Sequence, residues 1–233
     1  MNTNTSVAIV TGAAGNLGQA VAKKFIEEGY KVIGVTEPAH NETLDFSVNV
    51  FEQRAVDVSN EDASQKFIAD VITKYKSIDA AVLTVGGFAM GNITDTKTSD
   101  IEKQYKLNFE TAYNIARPVF MQMIKQNSGR IFLIGSKPGL SHTNSKGMIA
   151  YSLGKSLIFR LAELMNDEAK GHNVVTNVIV PSTIDTPQNR KAMPDADYSK
   201  WVKAEEIAAV IYYHCSKEAA ILREPVIKVY GNS

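Results

Sequence analysis

Tyr151 and Lys155 stand four residues apart in the segment Tyr151-Ser152-Leu153-Gly154-Lys155. On a helix that spacing puts both side chains on one face, about 6 Å apart along the axis. An isolated phenol titrates near pH 10, to about one unit, and moves protons poorly at neutrality. A neighbouring ammonium favours the phenolate, so Lys155 is expected to lower the pKa of Tyr151 and make it an acid–base group. The same spacing also describes a surface tyrosine lying over a lysine stem. A second cluster, Thr11-Gly12-Ala13-Ala14-Gly15-Asn16-Leu17-Gly18, joins an apolar run to an amphipathic stretch. Glycines at a strand-to-helix turn let a pyrophosphate approach the backbone N–H groups of the helix start. Gly12, Ala14, Gly15, Asn16, Leu17 and Gly18 would form that contact. A P-loop is excluded, because no Gly-Lys-Ser/Thr closes the segment.

Thr36 and Glu37 follow a second apolar run, where an acidic group would receive the ribose hydroxyls of an adenosine. Asp57 and Val58 follow a third and are placed to meet the adenine, although an isolated Asp there also reads as a helix-cap neighbour. Thr84-Val85-Gly86-Gly87 follow a fourth, small residues that let a flat ligand lie against the backbone. Ser136 ends a fifth. A hydrolase nucleophile at Ser136 is disfavoured, since Gly135-Ser136-Lys137-Pro138-Gly139 is not Gly-x-Ser-x-Gly and no His/Asp partners follow in order.

Such positions act together only on a scaffold that gathers strand ends. The periodicity predicts strands at Val7–Thr11, Lys31–Thr36, Gln53–Val58, Ala80–Val85, Arg130–Ser136, Val174–Val180 and Val226–Tyr230. Helices are predicted near 17–28, 60–75, 100–126, 149–170 and 203–215, with Pro118 kinking the third. Ser59-x-x-Asp62 and Ser99-x-x-Glu102 have capping-box form, and Gly29 and Gly171 sit at expected helix ends. Runs such as VAIV, AAVL and NVIV lack polar alternation, as strands covered on both faces do. The fold class is therefore α/β: a Rossmann-type doubly wound parallel sheet of about seven strands, a three-layer sandwich filling one domain over 1–233. Ligands of such sheets bind beyond the carboxyl ends of the strands.

The 233 residues are 44% hydrophobic and 21% charged, an ordinary globular composition that excludes disordered and disulfide-scaffold classes. Lys plus Arg and Asp plus Glu are 25 each, with no dense basic patch, so no nucleic-acid partner is expected. Cys215 stands alone and reads as a packed helix residue. The histidines at 40, 142, 172 and 214 show no metal-binding spacing, so no metal is expected. Residues 1–22 are uncharged but lack a basic n-region, and glycines interrupt their apolar run. Neither a signal peptide nor a membrane partner is expected, and the expected location is cytoplasmic.

The TGAAGNLG turn, Asp57, Asn108 in YKLNFETA, Ser136, the YSLGK block and PSTIDTP at 181–187 together resemble the short-chain dehydrogenase/reductase family over essentially the whole chain. The resemblance implies an NAD(P)(H)-dependent oxidoreductase acting on a small molecule, with Tyr151 as proton donor or acceptor and Ser136 bonded to the substrate oxygen. It implies Lys155 on the nicotinamide ribose, Asn108 holding a water that links Lys155 to solvent, and Pro181, Ile184 and Thr186 near the nicotinamide carboxamide. It also implies a homodimer or homotetramer built on the 100–126 and 149–170 helices. The chain departs from the family pattern at Asn16, Thr84-Val85 and Ser182, and its Ser136-to-Tyr151 interval is two residues longer than usual. Asn at position 16 tolerates left-handed backbone angles better than most residues.

Ala13, Ala14, Gly15, Thr36 and Glu37 offer no cation for a 2′-phosphate, which favours NAD(H); Thr36 in the usual Asp position leaves NADP(H) open. VGGFAMGN at 85–92, GMIAYSLGK at 147–155 and STIDTPQNRKAMPDADYSKW at 182–201 further resemble the dihydropteridine reductase branch. That likeness sets a pterin ring, with Gly86 and Gly87 leaving it space, against a small carbonyl or alcohol, which the complete Ser136–Tyr151–Lys155 set suits better. Residues 182–201 are expected to form a non-helical lid. In it Arg190, Lys191, Met193, Tyr198 and Trp201 either receive a flat ring or anchor the lid itself. A non-catalytic NAD(P)-binding regulator is the alternative of a different class, and its mark would be a broken catalytic set.

Overall fold

The structure, a computed structural model, describes residues 5–39, 42–141 and 145–232. His40 and His142, two of the residues weighed for metal binding, lie outside them, as does part of the lengthened interval between Ser136 and Tyr151. In chain order the elements are β1 (Val7–Thr11), α1 (Asn16–Glu27), β2 (Lys31–Thr36), β3 (Phe51–Ala55), α2 (Glu61–Tyr75), β4 (Ala80–Leu83) and α3 (Thr98–Tyr105). A π-helical turn, Lys106–Glu110, then leads into α4 (Thr111–Gln126), β5 (Ser128–Ile134), the short α5 (Lys137–Leu140) and α6 (Ile149–Glu168). Next come β6 (Asn173–Pro181), β7 (Ile184–Asp185), α7 (Pro187–Ala192), a 3₁₀ turn at Tyr198–Lys200, β8 (Val202–Lys203), α8 (Ala204–Tyr213) and β9 (Val226–Val229).

Seven strands form one parallel sheet in the order β3-β2-β1-β4-β5-β6-β9. Alternate strand residues feed two cores. Ile9, Ile33, Leu83 and Leu133 face α2, α4 and α6, where Phe67, Ile115 and Ile158 pack on them. Ala8, Val10, Val82 and Phe132 face α1 and α8, meeting Val21, Phe25, Ile207 and Ile211. A strand buried on both faces cannot alternate apolar with polar residues, which is why runs such as VAIVT are buried throughout.

Several element ends differ from their sequence signals. β3 is displaced toward the N-terminus of its expected span and stops at Ala55. The Asp57 carboxylate there turns back to accept from the Ser59 N–H (3.0 Å) and hydroxyl (2.6 Å). With Ser59 committed, Asn60 caps α2 instead, accepting from the Ala63 N–H at 2.9 Å. α3 starts one residue before the expected cap, and the Asp100 carboxylate accepts from the Lys97 N–H at 2.9 Å. α4 runs through Pro118 without a break; the departure from α geometry falls earlier, in the π turn that carries Asn108. Asn16 opens α1 with an ordinary φ, and the left-handed position in that turn belongs to Gly12, at φ +64°.

The excursion at 182–201 is not the open loop expected. α7 and the 3₁₀ turn give it internal structure, and pairing of Ile184 with Val202 and Asp185 with Lys203 closes its base. Among the described residues, no helix is long and apolar enough to cross a membrane, and no group of His, Cys, Asp and Glu is placed to hold a metal ion.

Candidate active site

The carboxyl ends of the strands open into a cleft of about 1110 Å³. Every residue expected to meet a dinucleotide lines it, from Gly12 through Asp57 and Gly87 to Thr186, and so do Ser136, Tyr151 and Lys155. Asn108 does not line the cleft; it lies behind the wall, fully buried.

At one end, the turn after β1 wraps tightly over the start of α1. A Cβ on Gly18 would sit 2.1 Å from the Gly12 carbonyl oxygen, so only glycine lets the helix start so close beneath the turn. Thr84 braces the turn from β4, its hydroxyl donating to the Thr11 carbonyl at 2.7 Å. Thr36 is buried at the end of β2, and its hydroxyl oxygen has no hydrogen-bond partner. A buried hydroxyl left unpaired is costly unless a ligand group meets it. Beside it Glu37 is exposed on the rim. A phosphate cradle at a helix N-terminus with an orphaned hydroxyl one strand away fits an adenine dinucleotide.

At the other end, Ser136 follows β5 as the N-cap of α5, its hydroxyl accepting from the Gly139 N–H at 3.1 Å. Ser136 also hydrogen-bonds Tyr151, in the first turns of α6. Lys155 lies one turn on, wholly buried, and donates to the Ile134 carbonyl at 2.8 Å. Two glycines let α6 approach its neighbours there. A Cβ on Gly139 would meet that of Lys155 at 2.6 Å, and one on Gly154 would meet the Gln104 carbonyl at 2.8 Å. Burial holds the Lys155 ammonium down at about 8, below the lysine value of 10.5.

The expected depression of the Tyr151 pKa is not found. Burial raises the phenol above its ordinary value, and the Ser136 hydrogen bond only partly offsets that. The lysine is turned toward Ile134, and Tyr151 feels the loss of water more than it feels the ammonium. Asn108 turns its side chain to the loop after β4. Its side-chain oxygen accepts from the Gly87 N–H (3.1 Å), and its amide donates to the Gly87 carbonyl (3.0 Å) and to Gln104 Oε1 (2.9 Å). These bonds clamp the loop after β4. Gly86 and Gly87 both line the cleft, and a side chain at either would have no room behind it. The Cβ positions they lack are filled by Asn108 and Lys155 at one and by Leu107 at the other.

The excursion at 182–201 contributes Met193 to the cleft, but Arg190, Lys191, Tyr198 and Trp201 do not line it. Arg190 is held bidentate by Asp185 at 2.6 and 2.7 Å and lies over the Tyr198 ring, which packs on Trp201. Those aromatics anchor the excursion to itself. Cys215 lies two residues past α8, packed against its core, where burial pushes the thiol up to about 12. Gln104 and Phe88 escaped the sequence reading. Gln104 had no visible partner until the π turn brought Asn108 beneath it, and Phe88 sat unremarked inside VGGFAMGN.

The sequence pattern of the short chain dehydrogenase family matches residues 6–197. The chain belongs to that family. It is an oxidoreductase of the short-chain type, a family that uses NAD(P)(H). The chain is 26% identical to the 3-oxoacyl-(acyl-carrier-protein) reductase FabG of Buchnera aphidicola, covering 99% of this chain and 98% of that protein. It is also 26% identical to the acetoacetyl-CoA reductase of an Acinetobacter species, over 97% and 96%. Among solved structures, an NAD+-bound xylitol dehydrogenase superimposes with a TM-score of 0.86 at 22% identity, covering 99% of this chain and all of that one. The ligand-free aldohexose dehydrogenase of Thermoplasma acidophilum gives 0.85 at 24%, covering 98% and 94%. At those identities the two structures speak for the fold of this short-chain dehydrogenase.

Proposed function

We propose that this short-chain dehydrogenase interconverts a small carbonyl compound and its alcohol with NAD(H), Tyr151 carrying the proton. The observation that carries the reading is the half-buried Tyr151 phenol, bonded to Ser136 one helical turn from Lys155 and lining the same cleft as the glycine turn. A bound dihydronicotinamide supplies a hydride, with its electron pair, to the carbonyl carbon. Ser136 and Tyr151 donate to the carbonyl oxygen, and as its π electrons move onto it the Tyr151 O–H bond breaks and the proton follows. A phenol whose pKa is raised is fully protonated at neutral pH and ready to give that proton. Lys155 has three N–H donors and spends one on Ile134, which leaves two for ribose hydroxyls and for the phenolate that forms.

Two features support NAD(H) over NADP(H). Glu37 offers a carboxylate that would repel a 2′-phosphate, and no cation stands between Gly12 and Gly18. Reduction of a pterin ring is disfavoured, because Arg190, assigned to bind the ring, is held by Asp185 within its own excursion and does not line the cleft. The regulator alternative lacks its mark, a broken set. Stopped-flow oxidation of NADH against a carbonyl panel, with quinonoid dihydropterin alongside, tests the reading. Tyr151→Phe should lower kcat by about a hundredfold or more with NADH affinity nearly intact. Near-normal turnover in that variant would exclude Tyr151 as the acid.

A further inference from the structure

Phe88 follows the Asn108-clamped glycines and projects into the cleft with 59% of its surface exposed. Its ring stands edge-on to Tyr151, with centroids 5.0 Å apart. An exposed aromatic touching the proton donor has a fixed relation to any substrate. A carbonyl oxygen bonded to Tyr151 places one of its two substituents against that ring. The ring is also held in place. The Gly91 N–H donates to the Gly147 carbonyl at 2.7 Å and the Ile149 N–H to the Gly91 carbonyl at 3.1 Å, tying the Phe88 loop to the start of α6. Met148 lies at that tie and Met193 reaches in from the excursion, 40% exposed, so the wall continues as thioether and aromatic surface.

Charge is consistent with an apolar occupant. Among the described residues, the carboxylates lining the cleft, Glu37 and Asp57, belong to its adenosine end, and no arginine lines it. Of its two lysines, Lys155 is catalytic and Lys137 lies over the Tyr230 ring, 4.3 Å from its centroid. Thr186, Gln188 and Asn189, which complete the substrate end, are neutral.

We infer that the carbonyl compound carries an uncharged aryl or alkyl substituent that packs on Phe88, Met148 and Met193, and that Phe88 is the specificity-determining residue. The inference rests on the reductase reading above. It separates this chain from a reductase selective for carrier-bound or CoA-bound acyl groups, whose recognition needs cations or a partner surface.

The test compares kcat/KM for an aryl methyl ketone, butane-2,3-dione and acetoacetyl-CoA in the wild type and in Phe88→Ala. The aryl ketone should lead acetoacetyl-CoA in the wild type. Phe88→Ala should reduce the aryl-ketone-to-butanedione ratio about tenfold, chiefly through KM, with NADH affinity unchanged. A wild-type preference for acetoacetyl-CoA, or a ratio indifferent to Phe88→Ala, overturns the inference while leaving the reductase reading standing. Binding of benzyl alcohol to the NAD+-loaded enzyme, read by saturation-transfer NMR, needs no turnover. A signal lost in Phe88→Ala supports the inference, and its absence from the wild type overturns it; if binding is seen but no carbonyl is reduced, the reductase reading is what fails.

Discussion

Lys155 and Gln104 show how much of the catalytic end depends on burial. The folded pKa of Lys155, about 8, lies below the unfolded value of 10.5, so the unfolded chain binds the proton more tightly. The sign follows from linkage: this group destabilises the fold at pH values below 8, and the cost fades as pH rises through 8 toward 10.5. The full difference amounts to about 3 kcal/mol. Lys155→Met should therefore exceed the wild type in unfolding free energy near neutrality, and the gap should close in urea titrations between about pH 8 and about pH 10. A gap of constant size would show that the ammonium is not desolvated. Gln104 acts at one remove, accepting from the Asn108 amide and so fixing which way that amide faces Gly87. Gln104→Leu would leave the Asn108 amide with the Gly87 carbonyl and only the longer 3.3 Å bond to the main-chain carbonyl of residue 104, at a cost of about 1 kcal/mol. Calorimetry should show a lower Tm and a several-fold weaker NADH affinity; a cofactor affinity unmoved by the substitution would confine Gln104 to stability. Tyr151, Lys155 and Ser136 were legible because their types and spacing are chemical statements. The direction of the Tyr151 pKa was not, since spacing on a helix face says nothing of how much water reaches the phenol.

At the scale of elements, apolar runs marked the central strands, because burial on both faces leaves a continuous signature in sequence, while the edge strands β3 and β9 are only partly buried. Ends were harder to read. Ser59 and Asn60 are both good caps, and the choice between them was made by Asp57, which binds Ser59 first. The π turn at Lys106–Glu110 has no composition of its own, and α5 is too short to show a period. The glycine turn after β1 was legible as a motif, but its severity is a matter of distance. Gly18→Ala would put a methyl group 2.1 Å from Gly12 oxygen and 2.8 Å from its carbonyl carbon, both backbone atoms that cannot swing aside. Overpacking of this kind costs about 1–3 kcal/mol. The variant should melt lower and bind NADH at least tenfold more weakly by fluorescence titration; wild-type affinity would mean that the turn opens more easily than its contacts suggest.

For the whole molecule, the outer surfaces of two adjacent helical stretches are unusually apolar. Tyr105, Tyr113 and Met121 are exposed along α3 and α4, and Leu153, Leu157 and Leu164 along α6. Such a surface on a helix that already covers the sheet is suited to a second copy, and a homodimer through these faces is the assembly we propose. Leu157→Glu should shift sedimentation velocity toward the monomer, and a wild type that sediments as a monomer at micromolar concentration would refute the assembly. The sheet order reverses between β1 and β4, so the two ends of the cleft descend from separate stretches of chain. In chain order the cleft is lined by residues within 12–18, 35–37 and 56–59, then within 84–88 together with Leu107 and Thr111, and then within 134–138, 148–155 and 181–193. Selection can therefore revise the glycine turn after β1 and the excursion after β6 on independent schedules, since they lie in separate stretches of chain.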